Sequence, residues 1–91
     1  MSLDNQKVWT PTIAVTRTTR ENILRYLFQN GRSSASEIRD ALALRRTGGE
    51  GAFRSLLEYE FLSRTVSQGR VHYELTDRGR QFTSDELLEE H

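Results

Sequence analysis

The chain of 91 residues carries 13 basic and 13 acidic side chains, so its formal net charge is zero, and 35% of its residues are hydrophobic. This size predicts one domain with a modest core and little volume for an enclosed substrate pocket, which argues against an enzyme. Because there is no cysteine and there are only two histidines, disulfides and zinc sites of ordinary composition are excluded, and we expect no metal, no cofactor and no small-molecule effector.

Residues 1–17 are expected to form an extended N-terminal arm. They hold the only proline, Pro11, and a short β-favouring run, TIAVT, which can add a strand or reach a partner. The arm lacks the basic-then-apolar layout of a signal peptide, and no run along the chain reaches the roughly 18 apolar residues of a membrane span. We therefore expect a cytoplasmic protein without a membrane partner.

Three short helices are predicted between the arm and residue 62. Each begins with a capping box, in which Ser or Thr precedes Glu by three positions: Thr18 with Glu21, Ser34 with Glu37, and Thr47 with Glu50. The apolar residues behind each box repeat at helical spacing and are expected to face one core; they are Ile23, Leu24, Leu27 and Phe28, then Ile38, Ala41 and Leu42, then Phe53, Leu56, Leu57 and Phe61. Glycines weaken the start of the third helix, so it is expected to begin near residue 50.

After the third helix the apolar period changes from 3.6 to 2, which predicts a β-hairpin. Val66 precedes the turn SQGR, and Val71, Tyr73 and Leu75 alternate behind it. The second strand is therefore expected to cover the core beneath the helices.

A short C-terminal helix is expected from about Asp77. Thr76 is placed to cap it, and Gly79, its third residue, would let it approach the sheet closely because glycine has no Cβ. Residues 83–91 are acidic and are expected to form a tail or a further short helix, opened by the spacing of Thr83 and Glu86.

Helix, helix, helix and hairpin, in that order, is the layout of a winged helix-turn-helix, and residues 18–82 resemble regulators of the MarR and PadR kind. In those families the third helix runs into G-L-(apolar)-x-R, and the second wing strand ends in Y-x-L-T-x-x-G. This sequence has LEYEFLSR at 57–64 and YELTDRG at 73–79. Glu60 stands where the families usually have a helix-ending glycine, so that junction is either a differently shaped turn or a continued helix. The resemblance implies an α+β fold with three helices, a β-hairpin wing and a short C-terminal helix.

The resemblance also implies sequence-specific binding of double-stranded DNA by a small transcription regulator, a repressor. The third helix would enter the major groove, and the wing would touch the adjacent minor groove or the backbone. On the exposed face of that helix, Gly51, Arg54 and Ser55 are the candidate contacts, because arginine can bind guanine and serine can meet a base or a phosphate. The alternative for Arg54 is an arginine that is simply solvated.

Two further groups complete the candidate DNA-binding residues. Arg45, Arg46 and Thr47 precede the third helix, where side chains commonly hold phosphates, and the amides of TGG could add an anion nest. A tip arginine suits a narrow minor groove, and the wing candidates are Arg64, Gln68 and Arg70. The alternatives are a flexible turn between helices and a solvated hairpin end.

The distribution of charge favours DNA although the net charge is zero. All thirteen bases lie between Lys7 and Arg80, where only eight acids lie, so this stretch carries +5. Twelve of the bases are arginine, whose planar fork suits phosphate and guanine. A GC-rich genome would produce the same excess of arginine. The acidic tail, Glu50 and Glu58 favour an alternative function, a winged-helix adaptor that binds proteins and not DNA.

A homodimer is expected, because palindromic operators need a two-fold protein. Apolar residues at both ends of the chain are candidates for its interface, and each could equally cover the domain's own core; they are Val8, Trp9, Ile13 and Val15 in the arm, and Phe82, Leu87 and Leu88 near the C-terminus.

Overall fold

The computed structural model describes residues 14–88, with side chains from residue 19 onward. The elements follow the predicted order of helices and hairpin, with one short strand added; they are α1 (Ala14–Asn30), β1 (Ser33–Ser34), α2 (Ala35–Ala41), α3 (Glu50–Glu58), β2 (Leu62–Ser67), β3 (Arg70–Leu75), α4 (Asp77–Phe82) and a π-helical segment (Thr83–Leu88). Within this part of the chain no helix has both the length and the apolar character that crossing a membrane requires.

The three strands form one antiparallel sheet in the order β1-β3-β2. β2 and β3 make the predicted hairpin, with Leu62 opposite Leu75 and Ser67 opposite Arg70. Its two-residue turn consists of Gln68 and Gly69, which both have positive φ, 52° and 76°. This is the combination that a tight hairpin requires to match the twist of its strands. In the strand order β1-β3-β2, β3 is the central strand, and β1 and β2 are the two edges.

The core lies between α1, α2 and α3 on one side and the sheet on the other. Most of the predicted inward residues are buried; the core consists of Ile23, Leu24, Leu27, Ile38, Ala52, Phe53, Leu56, Phe61, Leu62, Tyr73 and Leu75. One prediction of an inward residue is wrong: Ala41 is exposed in the last turn of α2. Val66, one residue pair from the hairpin turn, is 58% exposed.

Two of the three predicted capping boxes are wrong. α1 begins at Ala14, so Thr18 lies inside the helix, and residues 14–17 of the predicted arm are helical; residues 1–13 lie outside the described residues. α3 begins at residue 50 as expected, but its N-cap is Gly49 in a left-handed conformation, not Thr47. The second box is confirmed, because Ser34 and Glu37 each accept a hydrogen bond from the other's amide.

α3 ends in a type of turn that usually has glycine at its left-handed position, although here that residue is Glu60. The amide of Glu60 donates to the Leu57 carbonyl (2.9 Å), and the amide of Phe61 donates to the Leu56 carbonyl (2.9 Å). This pair of hydrogen bonds is a Schellman motif, whose first residue beyond the helix is left-handed. Glu60 accordingly has φ 66°. Both expectations for this junction, a different turn and a continued helix, are therefore wrong.

The YELTDRG stretch joins α4 to that same corner. Thr76 caps α4 by accepting from the Gly79 amide (3.0 Å), as predicted, and its hydroxyl donates to the Glu60 carbonyl (2.6 Å). A Cβ on Gly79 would clash with the Phe61 carbonyl oxygen and lie 2.9 Å from the carbonyl carbon. Glycine is therefore needed at position 79, because it lets α4 lie close to the backbone of Phe61, the residue before β2.

The chain passes from α4 into the π-helical segment without a new cap. Thr83 is fully buried, and its hydroxyl donates to the Gly79 carbonyl (2.8 Å), so it is not free to open a capping box with Glu86. Leu87 packs against the core as a partly buried residue. The first six residues of the predicted tail or helix are thus helical and attached to the domain.

Candidate nucleic-acid interface

α3 presents one exposed face, because its apolar residues are drawn into the core. Ala52, Phe53 and Leu56 are buried, and the solvent-exposed positions are Glu50, Gly51, Arg54 and Glu58. The structure thus places Gly51 and Arg54 on the surface where the sequence predicted base contacts. Glu50 and Arg54 are one helical turn apart on this face.

Ser55 has a different environment from the one predicted. It is half-buried, and its hydroxyl accepts a hydrogen bond from Nη1 of Arg20 at 2.8 Å. Arg20 lies on α1 and is 7% exposed. Ser55 therefore connects α3 to α1, at the border of the exposed face.

Arg45, Arg46 and Thr47 are all exposed in the segment that connects α2 to α3. The segment is a tight turn, in which the Gly48 amide donates to the Arg45 carbonyl at 2.7 Å. A Cβ at Gly48 would lie 2.9 Å from the Arg45 amide nitrogen, so the turn requires glycine there. The three candidate side chains are thus held on an ordered turn.

Arg39 is a residue that sequence reasoning missed. Its Nε donates to the Gly48 carbonyl at 2.9 Å, and its guanidinium lies 5.5 Å from the centre of the Phe53 ring. It therefore holds the turn before α3 and packs on α3 itself. No sequence spacing predicts these two contacts, because Gly48 and Phe53 lie beyond the end of the helix that contains Arg39.

A surface groove of about 440 Å³ separates α3 from the wing. Its charged lining consists of three arginines from three elements, Arg39, Arg54 and Arg64, and one acid, Glu50. Apolar side chains complete it: Ala35, Phe53, Leu57, Val71 and Tyr73. The groove therefore brings together two predicted residues, Arg54 and Arg64, and two that were not predicted as contacts.

The wing tip and the turn before α3 stand outside the lining of this groove. Gln68 and Arg70 are exposed at the tip of the hairpin. The Phe53 and Tyr73 rings stack at 4.4 Å with an interplanar angle of 6°, which attaches α3 directly to β3. The exposed predicted residues thus lie in three places: the turn before α3, α3 with the groove beside it, and the wing tip.

The described residues contain no group of three His, Cys, Asp or Glu side chains that could hold a metal ion. A second depression, of about 610 Å³, lies between the end of α1 and α2 and carries both signs of charge. Its charged lining residues are Arg32, Glu37 and Asp40. It shares no lining residue with the arginine-lined groove and contains none of the predicted contacts.

A comparison of the sequence with family models gave no match, and neither did a comparison with curated proteins. Solved structures do match. A MepR-like protein complexed with pseudoligands aligns over 90% of this chain and 56% of its own length, with TM-score 0.72 and 19% identity. Reduced AbfR bound to DNA aligns over 89% and 55%, with TM-score 0.70 and 18% identity. The adhesin competence repressor AdcR from Streptococcus pyogenes aligns over 89% and 56%, with TM-score 0.66 and 24% identity.

The chain thus spans a little over half the length of the solved structures that it matches. At these identities the likeness shows the fold, and the predicted α+β winged helix-turn-helix fold is confirmed. The ligands of these structures are properties of those proteins, because a shared fold does not imply a shared function. The function of this chain depends on the side chains of its own surface.

Proposed function

We propose that this chain binds double-stranded DNA as the winged-helix domain of a transcription regulator. α3 would enter the major groove, and the hairpin wing would contact the adjacent minor groove or the backbone. The protein would act in the cytoplasm as a repressor that occludes a promoter, without a catalytic step.

The observation that carries this proposal is the arginine-lined groove. Arg39, Arg54 and Arg64 come from α2, α3 and β2, yet line one depression between the helix and the wing. Arginine in that position suits phosphate oxygens and guanine edges. Support also comes from the structure of AbfR, which has this fold and is bound to DNA.

A homodimer remains part of the proposal, since a two-fold protein matches a palindromic site and doubles the number of contacts. Of the apolar candidates, Val8, Trp9 and Ile13 lie outside the described residues, as does the side chain of Val15. Phe82 and Leu87 are partly buried against the domain's own core. Leu88 is half-buried and is not among the residues packed on the core. The arm and Leu88 are therefore the proposed sources of the dimer contacts.

The second candidate function is a winged-helix adaptor that binds another protein. Two observations favour it: Glu50 and Glu58 are exposed on α3, and Val66 is the exposed large hydrophobic residue of the described chain. An adaptor would bind its partner without responding to duplex DNA.

A binding titration separates the two functions. The full chain would be titrated against random duplex and its own upstream DNA at two salt concentrations, together with Arg54→Ala, Arg70→Ala and the control Arg80→Ala. Arg80 is exposed on α4, which is outside the proposed surface. We expect the first two variants each to weaken binding by about tenfold, as for the loss of one good charged contact.

The control should bind like the wild type. If no duplex binds in a salt-dependent way, or if Arg54→Ala and Arg70→Ala behave like Arg80→Ala, the adaptor is favoured and DNA binding is rejected.

A further inference from the structure

Glu50 is the one acid in a groove whose other charged residues are arginines. It is exposed at the first position of α3 and lines the same groove as three arginines. Within the described chain, neither Glu50 nor Arg54 has a side-chain hydrogen bond or an ion pair, although they are one turn apart. Both polar groups are therefore available to a ligand in the groove.

A carboxylate on a DNA-binding surface has opposite effects on affinity and on selectivity. It repels the phosphates of every duplex and so lowers affinity for all sequences. It can accept hydrogen bonds but cannot donate them, and the matching donor in the major groove is the exocyclic N4 amino group of cytosine. The guanine edge at N7 and O6 offers only acceptors, which suits the arginine beside it.

We propose that Glu50 is a specificity-determining residue that selects a cytosine, while Arg54 selects a guanine nearby. The inference rests on the proposed function and adds to it the identity of two bases. Residues four apart are separated by about 6 Å along a helix, against about 3.4 Å for each base step. The two bases are therefore expected within two base pairs of each other.

The helix supplies a matched control in Glu58. It is a second exposed acid on α3, but it does not line the groove. Glu50→Gln and Glu58→Gln each remove one negative charge from the same helix. Any general electrostatic gain in affinity is thus expected in both variants, whereas a change in base preference is expected only at residue 50.

The experiment is selection from randomised duplexes with the full chain, followed by competition among duplexes that differ at one base pair. The wild type should recover a site with cytosine near guanine and prefer that cytosine by about tenfold. Glu50→Gln should move the preference to adenine, because glutamine pairs with its N6 and N7. Glu50→Ala should lose the preference, and Glu58→Gln should keep the wild-type site.

Failure of the Glu50 proposal can be distinguished from failure of the proposed DNA binding. If Glu50→Gln recovers the same site as the wild type, or if Glu58→Gln changes the site in the same way, Glu50 contributes only charge and the inference is overturned while DNA binding stands. If the wild type selects a site in which no cytosine lies within two base pairs of a guanine from a different base pair, the inference is likewise overturned. A wild-type chain that binds no duplex overturns both proposals.

Discussion

Glu60 is a residue in a conformation that suits glycine. Its φ of 66° is left-handed, and this conformation costs a residue with a Cβ about 1–2 kcal/mol. The turn persists because its two backbone hydrogen bonds and the Thr76 hydroxyl all depend on it. The corner between α3 and β2 is therefore held by surrounding contacts against a local preference.

We expect Glu60→Gly to stabilise the domain. Relief of the left-handed conformation exceeds the added entropy of glycine in the unfolded chain, so the free energy of unfolding should rise by about 0.5–1 kcal/mol. Denaturant unfolding measures it. Glu58→Gly is the control: Glu58 is the last helical residue of α3, and the same substitution there should destabilise. A loss of stability in Glu60→Gly would contradict the explanation of this corner.

At the scale of elements, α4 is fixed by its approach to the residue before β2. The Phe61 and Phe82 rings stack at 4.7 Å, and the Arg78 guanidinium lies 5.6 Å from the centre of the Phe61 ring. A Cβ on Gly79 would meet the Phe61 backbone, so glycine permits α4 to lie this close to the corner. The sequence stretch that most resembles the MarR and PadR families thus serves helix packing.

Gly79→Ala should separate α4 from this corner. The new Cβ meets backbone that cannot move aside as a side chain would, so we expect a loss of about 2 kcal/mol or more. Thermal unfolding is the measurement. Gly51→Ala provides the comparison, since nothing lies within 4 Å of a Cβ there, and in a helix it should stabilise by about 0.5–1 kcal/mol. Equal effects at both glycines would refute the packing role.

The contact between α1 and α3 is expected to stabilise the domain. Ser55→Ala removes the oxygen that accepts from Nη1 of Arg20, a residue only 7% exposed, and should lower stability by about 1–3 kcal/mol. Ser63→Ala, exposed on β2, should stay within about 0.5 kcal/mol. If Ser55→Ala instead leaves stability intact and reduces DNA affinity, the original interpretation of Ser55 as a DNA contact is correct.

For the whole molecule, the layout of charge matters more than its sum. The stretch from residue 7 to residue 80 carries +5 although the chain is neutral. The arginines of the proposed surface are exposed on the turn before α3, on α3 and along the wing; they are Arg45, Arg46, Arg54, Arg64 and Arg70. Such a surface should attract a duplex despite the neutral total.

Salt dependence tests that surface as a unit. If these five arginines meet phosphates or groove edges, the slope of log Kobs against log salt should be about −4 to −5 per protomer, since each neutralised phosphate contributes about −0.9. The double variant Arg45→Ala/Arg46→Ala should reduce the slope by about 2. Anisotropy titrations over a range of salt provide the slopes. An unchanged slope in the double variant would remove the turn before α3 from the interface.

The order of elements and most of the core were predictable, because both depend on local periodicity. Helix starts were less so: α1 extends back to Ala14, since β-branched residues lower helix propensity without forbidding a helix. The bond from Arg39 to Gly48 and the position of Ser55 were not predictable. Each depends on a contact between separate parts of the fold, which the residue spacing within one helix does not predict.

The Phe53 and Tyr73 stack joins α3 to the central strand of the wing, so the position of the helix is linked to that of the hairpin. For the proposed complex, the distance between the major-groove contact and the wing contact is then set by the protein. A duplex whose grooves are spaced or shaped differently has to bend or narrow to make both contacts. Sequences that deform easily would be favoured, even at base pairs that no side chain touches.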